Sequence, residues 1–138
     1  MMKPKELIAL AVKARENAYC PYSGFAVGAA LECADGTVYT GCNIENAAFG
    51  PSVCAERTAV FKAVSEGRRA FAALAVVGGK AGAPIDRECP PCGVCRQVLR
   101  EFCDDGFPVY LSDGRTVRTL RLVELLPESF RAEGLLTE

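Results

Sequence analysis

Cys54-Ala55-Glu56-Arg57 opens one amphipathic run, and Pro91-Cys92-Gly93-Val94-Cys95 opens another. Ser52 is a suitable N-cap for a helix over residues 53–66, with Gly67 to end it and Ala55, Ala59 and Ala63 as its small apolar face. The second run predicts a helix over 92–103, with Val94, Val98, Leu99 and Phe102 on one side. Between these helices, residues 70–77 are nearly all apolar, as in a strand covered on both faces, and residues 78–91 form a loop rich in Gly and Pro. Upstream, 25–33 and 38–42 read as strands joined by Ala34-Asp35-Gly36-Thr37, an Asp-Gly hairpin signal that makes the pair antiparallel. Downstream, 107–111 and 116–120 are joined by Ser112-Asp113-Gly114-Arg115, too short a link for anything but antiparallel strands. Residues 4–18 carry Leu7, Leu10, Ala11, Ala14 and Ala18 at helical spacing, and 123–126 suggest a helical turn.

The predicted order is therefore α-β-β-α-β-α-β-β, with both interior helices as crossovers between parallel strands. The expected fold is α/β: a three-layer α-β-α arrangement around a five-stranded mixed sheet, in one domain spanning 1–138. Such a sheet sets the starts of both crossover helices at one end of its strands, where ligands bind in open α/β sheets. Cys54, Cys92 and Cys95 are expected in those first turns, so topology brings them together.

Composition narrows the chemistry. The chain has 138 residues, half of them hydrophobic, and 16 basic against 17 acidic side chains for a net charge of −1. No basic excess exists to grip a phosphate backbone, so a nucleic-acid polymer is not an expected partner. The first apolar stretch is interrupted by Lys13, Arg15 and Glu16, which argues against a signal peptide or a membrane span and for a cytoplasmic setting. Eight cysteines in a reducing compartment read as metal ligands or buried thiols rather than disulfides. Histidine is absent, so a Ser-His or Cys-His nucleophile is excluded and any bound zinc must use thiolates or carboxylates.

Three thiolates can hold one zinc ion and leave its fourth position open, while a nearby carboxylate outside the ligand set moves protons: the kit for metal-assisted hydrolysis. Glu56 suits that second part. Two residues from Cys54, it can still reach the space beyond the helix end, because helical side chains tilt toward the N-terminus. Zinc with three thiolates carries a surplus of about one negative charge, which weakens it as a Lewis acid. Two helix N-termini, at about half a positive charge each, offset that surplus. Arg57, on the same helical side as Cys54, offsets it further by hydrogen bonding to the thiolate.

Cys-Ala-Glu-Arg followed by Pro-Cys-Gly-Val-Cys-Arg-Gln resembles the cytidine deaminase family, in its small homotetrameric form with three cysteine ligands. Ala18-Tyr19, Pro21-Tyr22-Ser23, Phe25, Val27-Gly28-Ala29-Ala30, Gly41-Cys42-Asn43-Ile44-Glu45-Asn46-Ala47 and Leu125-Leu126-Pro127 extend the likeness along nearly the whole chain. The resemblance implies a cytidine deaminase-like fold and zinc-dependent hydrolysis of cytidine, and of 2′-deoxycytidine, to the uridine nucleoside and ammonia in pyrimidine salvage. It implies zinc ligands at Cys54, Cys92 and Cys95 and a proton shuttle at Glu56. Asn43 and Glu45 correspond to residues that hydrogen-bond the ribose, chiefly its 3′-hydroxyl. Phe25 corresponds to an aromatic packed on the pyrimidine, and Ala55 to a residue whose backbone contacts the base. Phe130 is similar to an aromatic that closes the pocket of a neighbouring subunit.

Other readings stay open from the residues alone. Cys89 precedes Cys92 by three and offers a fourth ligand for a purely structural zinc, which would make the chain an interaction module without turnover. Asn43 and Glu45 also suit a turn, Phe25 a core and Phe130 a tail anchor. Cys20, Cys33, Cys42 and Cys103 are most simply small core residues. Phe49 stands where tyrosine is common in the family. The nearest alternative activity is deamination of another aminopyrimidine nucleoside, such as blasticidin S.

Overall fold

A computed structural model describes residues 1–133 and 135. Helix α1 (Pro4–Ala14) is followed by one 3-10 turn over Arg15–Asn17, where a single helix over 4–18 is predicted. The helix tightens where Arg15 is held by donating to three carbonyls: Ala26 at 3.1 Å, Ala83 at 2.9 Å and Lys80 at 3.0 Å. Strands β1 (Phe25–Cys33) and β2 (Val38–Cys42) occupy their predicted spans and pair antiparallel. Their turn uses a positive φ of 90° at Gly36, and the Asp35 carboxylate accepts from Thr37 N at 2.9 Å.

Helix α2 (Ala55–Ser65), strand β3 (Phe71–Lys80), helix α3 (Gly93–Phe102), strands β4 (Pro108–Ser112) and β5 (Val117–Arg121) and the short helix α4 (Leu122–Leu125) complete the order. The sheet runs β2-β1-β3-β4-β5. β1 is antiparallel to both β2 and β3, β3 is parallel to β4, and β4 is antiparallel to β5. β2 and β3 therefore point the same way with β1 between them, so α2 and α3 both cross between parallel strands, as expected.

Period-two burial separates two cores. Ala29, Leu31, Leu74, Val76, Val109 and Leu111 face Ala55, Ala59, Ala63 and Leu99 of α2 and α3. Ala30, Ala73, Ala75 and Val77 face Leu7, Ile8 and Ala11 of α1. Because both faces of β3 are covered, its sequence is a continuous apolar run rather than an alternating one. The helices approach the sheet at glycines. A Cβ at Gly28 would lie 2.0 Å from Ala11 O of α1, and one at Gly41 would lie 2.5 Å from Ala55 O and 2.6 Å from Ala59 N of α2. Backbone rests on backbone at these points, so any larger residue would push a helix off the sheet.

Several boundaries differ from the sequence expectation. β3 continues to Lys80 instead of stopping at Val77, because Gly78 and Gly79 pair with Val27 and Ala26 of the long β1. Val94 is exposed, not core, because the buried side of α3 runs through Cys95 and Leu99. Ser52 is not an N-cap. Val53 exchanges backbone hydrogen bonds with Ile44 at 2.9 and 3.0 Å, which holds it extended and delays α2 until after Cys54. Among the described residues, no helix is long and apolar enough to cross a membrane.

Candidate active site and metal centre

The delayed start of α2 sets the geometry of the site. Cys54 becomes the extended N-cap residue of α2, with φ −78° and ψ 157°. Cys92 takes the same place at the head of α3, with φ −69° and ψ 169°, and Cys95 is the third residue of that helix. Both helices leave the C-terminal ends of strands that point the same way, so their caps meet. The ligand atoms of Cys54, Cys92 and Cys95 lie within 4.8 Å of one another, and Cys54 Sγ is 3.8 Å from Cys92 Sγ. A tetrahedral zinc with Zn–S bonds of ~2.3 Å has a sulfur–sulfur edge of about 3.8 Å, so the donor set and its spacing suit that ion. Cys89 does not join this cluster.

The surroundings favour a thiolate at Cys54. Arg57 Nη2 donates to Cys54 Sγ at 3.5 Å. The Cys54 thiol is held well below its usual range, first by the neighbouring Cys95 thiol, with Arg57 and Cys92 adding to the effect. Cys95 is driven the opposite way, first by donating its own proton to the Cys54 sulfur and then by burial. Cys89 is pushed up to about 11 by burial, so it remains a neutral thiol.

Glu56 is 3% exposed, and its Oε1 has no hydrogen-bond partner among the described residues. Burial, with the Cys54 charge adding to it, pushes this carboxyl up to about 7. A buried carboxylate oxygen without a partner is costly unless a ligand or water meets it. Glu56 borders a cavity of about 430 Å³, within the range of small-molecule sites, whose wall also includes Cys54, Cys92 and Cys89. A smaller cavity of about 280 Å³ around Arg100 and Arg131 contains none of the clustered sulfurs.

The wall of the larger cavity also carries Phe25, Asn43 and Glu45. Asn43 is buried; its Oδ1 accepts from Val27 N at 2.8 Å and its Nδ2 donates to Phe25 O at 2.8 Å. One amide hydrogen and one lone pair of Asn43 remain for a ligand. The Glu45 carboxylate accepts from Tyr22 N at 3.0 Å, from Ser23 N at 3.1 Å and from the Ser23 hydroxyl. These bonds, the Ser23 hydroxyl first, hold Glu45 below the usual carboxylate range. Ala55 is fully buried at the first position of α2, where a backbone N–H lacks a helical partner.

Phe130 stands apart. It is 68% exposed and does not border the cavity of its own chain, and its carbonyl accepts from Gln97 Nε2 at 3.0 Å. Phe49 is also exposed, in the left-handed region at φ 63°, and packs edge-on against Tyr22 with centroids 6.2 Å apart. Ser23, Val27, Ser52, Val53 and Pro90 also line the wall, and no local pattern marks them as parts of a site. In the sequence, Ser23 belongs to the Pro21-Tyr22-Ser23 stretch and Val27 to the Val27-Gly28-Ala29-Ala30 stretch, neither of which assigns it a role. Their placement depends on pairing between β1 and the loop after β2, for which no local pattern exists.

Residues 1–111 match the profile described as the cytidine and deoxycytidylate deaminase zinc-binding region. A cytidine deaminase of Sporosarcina psychrophila is 53% identical over 135 residues, covering 97% of this chain and 96% of that protein. The crystal structure of cytidine deaminase from Burkholderia pseudomallei superposes with a TM-score of 0.84 at 47% identity, covering 94% of this chain and all of that one. A blasticidin-S deaminase of Bacillus cereus is more distant, at 32% identity over 73% of this chain and 74% of its own length.

Proposed function

The chain belongs to the cytidine and deoxycytidylate deaminase family, and from that membership we propose how its residues perform the reaction. It is a zinc-dependent hydrolase that converts cytidine and water to uridine and ammonia. The reading extends to 2′-deoxycytidine, to a role in pyrimidine salvage and to the cytoplasm, where thiols stay reduced. Residues 1–138 act as one domain.

Cys54, Cys92 and Cys95 would hold one zinc per chain. Zinc, when bound, supplies the Lewis acidity that makes water a nucleophile near neutral pH. Glu56 takes one proton from the water that adds to C4 and places it on pyrimidine N3, then carries the second proton of that water to the amine, which leaves C4 as ammonia, the general chemistry of zinc-dependent base deaminases. Arg57 draws charge from the Cys54 sulfur. Phe25 packs on the pyrimidine, Ala55 meets the base through its backbone, and Asn43 and Glu45 hold the ribose. The observation that carries this reading is the buried, unpartnered carboxylate of Glu56 in the same cavity wall as clustered sulfurs.

The direct test follows the loss of cytidine absorbance on adding the zinc-loaded protein, with blasticidin S assayed beside it. Turnover of cytidine, with blasticidin S much the poorer substrate, is expected. The reverse order would move the chain to the alternative activity. No turnover of either would leave a zinc-stabilised interaction module.

The family resemblance and the exposed tail also support a homotetramer in which Phe130 closes a neighbour's cavity. The tail is tied down by Gln97 and by the ion pair from Arg131 Nη2 to Asp105 at 2.6 Å, while the Phe130 ring stays free. Sedimentation is expected to give a tetramer, and Phe130→Ala is expected to raise KM for cytidine. A stable, fully active monomer would refute this assembly.

A further inference from the structure

We infer that Ser23 is a positioning residue for ribose recognition: its hydroxyl aims the Glu45 carboxylate into the cavity and couples it to Phe25. The inference rests on the reading of Glu45 as a ribose contact. Glu45 lies in the loop after β2, and its carboxylate is held entirely from the turn before β1. Two of the three bonds come from backbone N–H groups, which any residue at 22 and 23 would supply. The third comes from a side chain. The Ser23 hydroxyl has one proton, and the Glu45 carboxylate takes it. The same oxygen accepts from Phe25 N at 3.0 Å.

These contacts extend into a continuous chain. Phe25 O accepts from Asn43 Nδ2, and Asn43 Oδ1 accepts from Val27 N. The backbone closes the other side: Tyr19 N donates to Asn43 O at 2.9 Å, and Glu45 N donates to Tyr19 O at 2.8 Å. Glu45, through Ser23, and Asn43, directly, are thus both tied to the backbone of Phe25. A carboxylate has about four acceptor sites, so these three bonds leave one, on Oε2, available to a ligand hydroxyl. Without the Ser23 proton, Oε1 stays held by the two backbone N–H groups, but Oε2 loses the bond that fixes it, and the acceptor left for the ribose is no longer aligned. A site built to hydrogen-bond a substrate hydroxyl discriminates strongly against an analogue lacking it, and misalignment removes that discrimination first.

The test compares kcat/KM for cytidine and 3′-deoxycytidine in wild type, Ser23→Ala, Ser23→Thr and Glu45→Gln, with zinc content and thermal midpoint measured for each. Wild type is expected to prefer cytidine strongly. Ser23→Ala is expected to lower that preference by about tenfold, the scale of one hydrogen bond to a charged group, mainly by weakening cytidine turnover. Ser23→Thr keeps the hydroxyl and is expected to keep the preference. A purely structural serine would lose both substrates in equal proportion, leaving the ratio unchanged, and that result would overturn the inference. Glu45→Gln separates the two levels. If it collapses the preference while Ser23→Ala does not, only the role of Ser23 fails. If Glu45→Gln keeps the preference, the ribose assignment fails and the role of Ser23 falls with it.

Discussion

Replacing Glu56 by Gln is expected to reduce turnover of cytidine by 10²–10⁴-fold or more while zinc stays bound. General acid–base catalysis is worth roughly 10²–10⁴-fold for one transfer, and on this mechanism Glu56 serves more than one. Glutamine has nearly the same size and keeps a carbonyl oxygen where Oε1 lies, so the 3%-exposed position is neither emptied nor overpacked. It cannot accept and release a proton near neutral pH. The ligand set is untouched, because the clustered donor atoms are three sulfurs and none belongs to Glu56. Zinc at wild-type occupancy, cytidine still bound in an equilibrium assay, and turnover nearly gone is the expected triple result. Near-normal turnover would refute the role of Glu56. So would a variant that is inactive only because its zinc is missing.

The second large effect separates Cys89 from its neighbours. Cys54→Ala, Cys92→Ala and Cys95→Ala are each expected to lose zinc and with it all measurable activity, since removing one thiolate leaves two donors for a tetrahedral ion. Cys89→Ala is expected to retain one zinc per chain. Cys92 and Cys95 are carried by the start of α3, which also directs its N-terminal positive end at them, whereas Cys89 lies in the preceding loop as a thiol that burial keeps protonated. Metal analysis of the four purified variants decides the matter. Equal loss of zinc from Cys89→Ala and Cys92→Ala would show that the ligand set has been misassigned.

Much of this arrangement is encoded locally. The hairpin is legible because Asp35-Gly36 requires a particular turn, and the flanking strands run over their predicted spans, Phe25–Cys33 and Val38–Cys42. The apolar run of β3 signals a strand covered twice, and the two cores on either side of it bear that out. The meeting of Cys54 with Cys92 and Cys95 follows from element order alone, because crossover helices between parallel strands must start at one end of the sheet. Zinc chemistry follows from residue type: thiolates in that spacing, with no histidine in the chain, leave few other uses.

Other features required the folded chain. No local pattern places β1 between β2 and β3, since β1 and β3 pair across the whole of β2 and α2. Ser52 has the chemistry of an N-cap, yet the bridge between Ile44 and Val53 overrides it and hands the position to Cys54. The Asn43 amide has already committed part of its hydrogen bonding to Phe25 and Val27, 18 and 16 residues away. Phe130 lies outside the cavity of its own chain although the linear sequence gives no sign of distance. Sequence patterns report what a residue prefers within a few neighbours, because helix caps, turns and alternation are local energies. Which partner satisfies a given N–H or carboxylate across the sheet is decided only when the whole chain has closed, and that choice aims Glu45 through Ser23 and leaves Glu56 Oε1 without a partner.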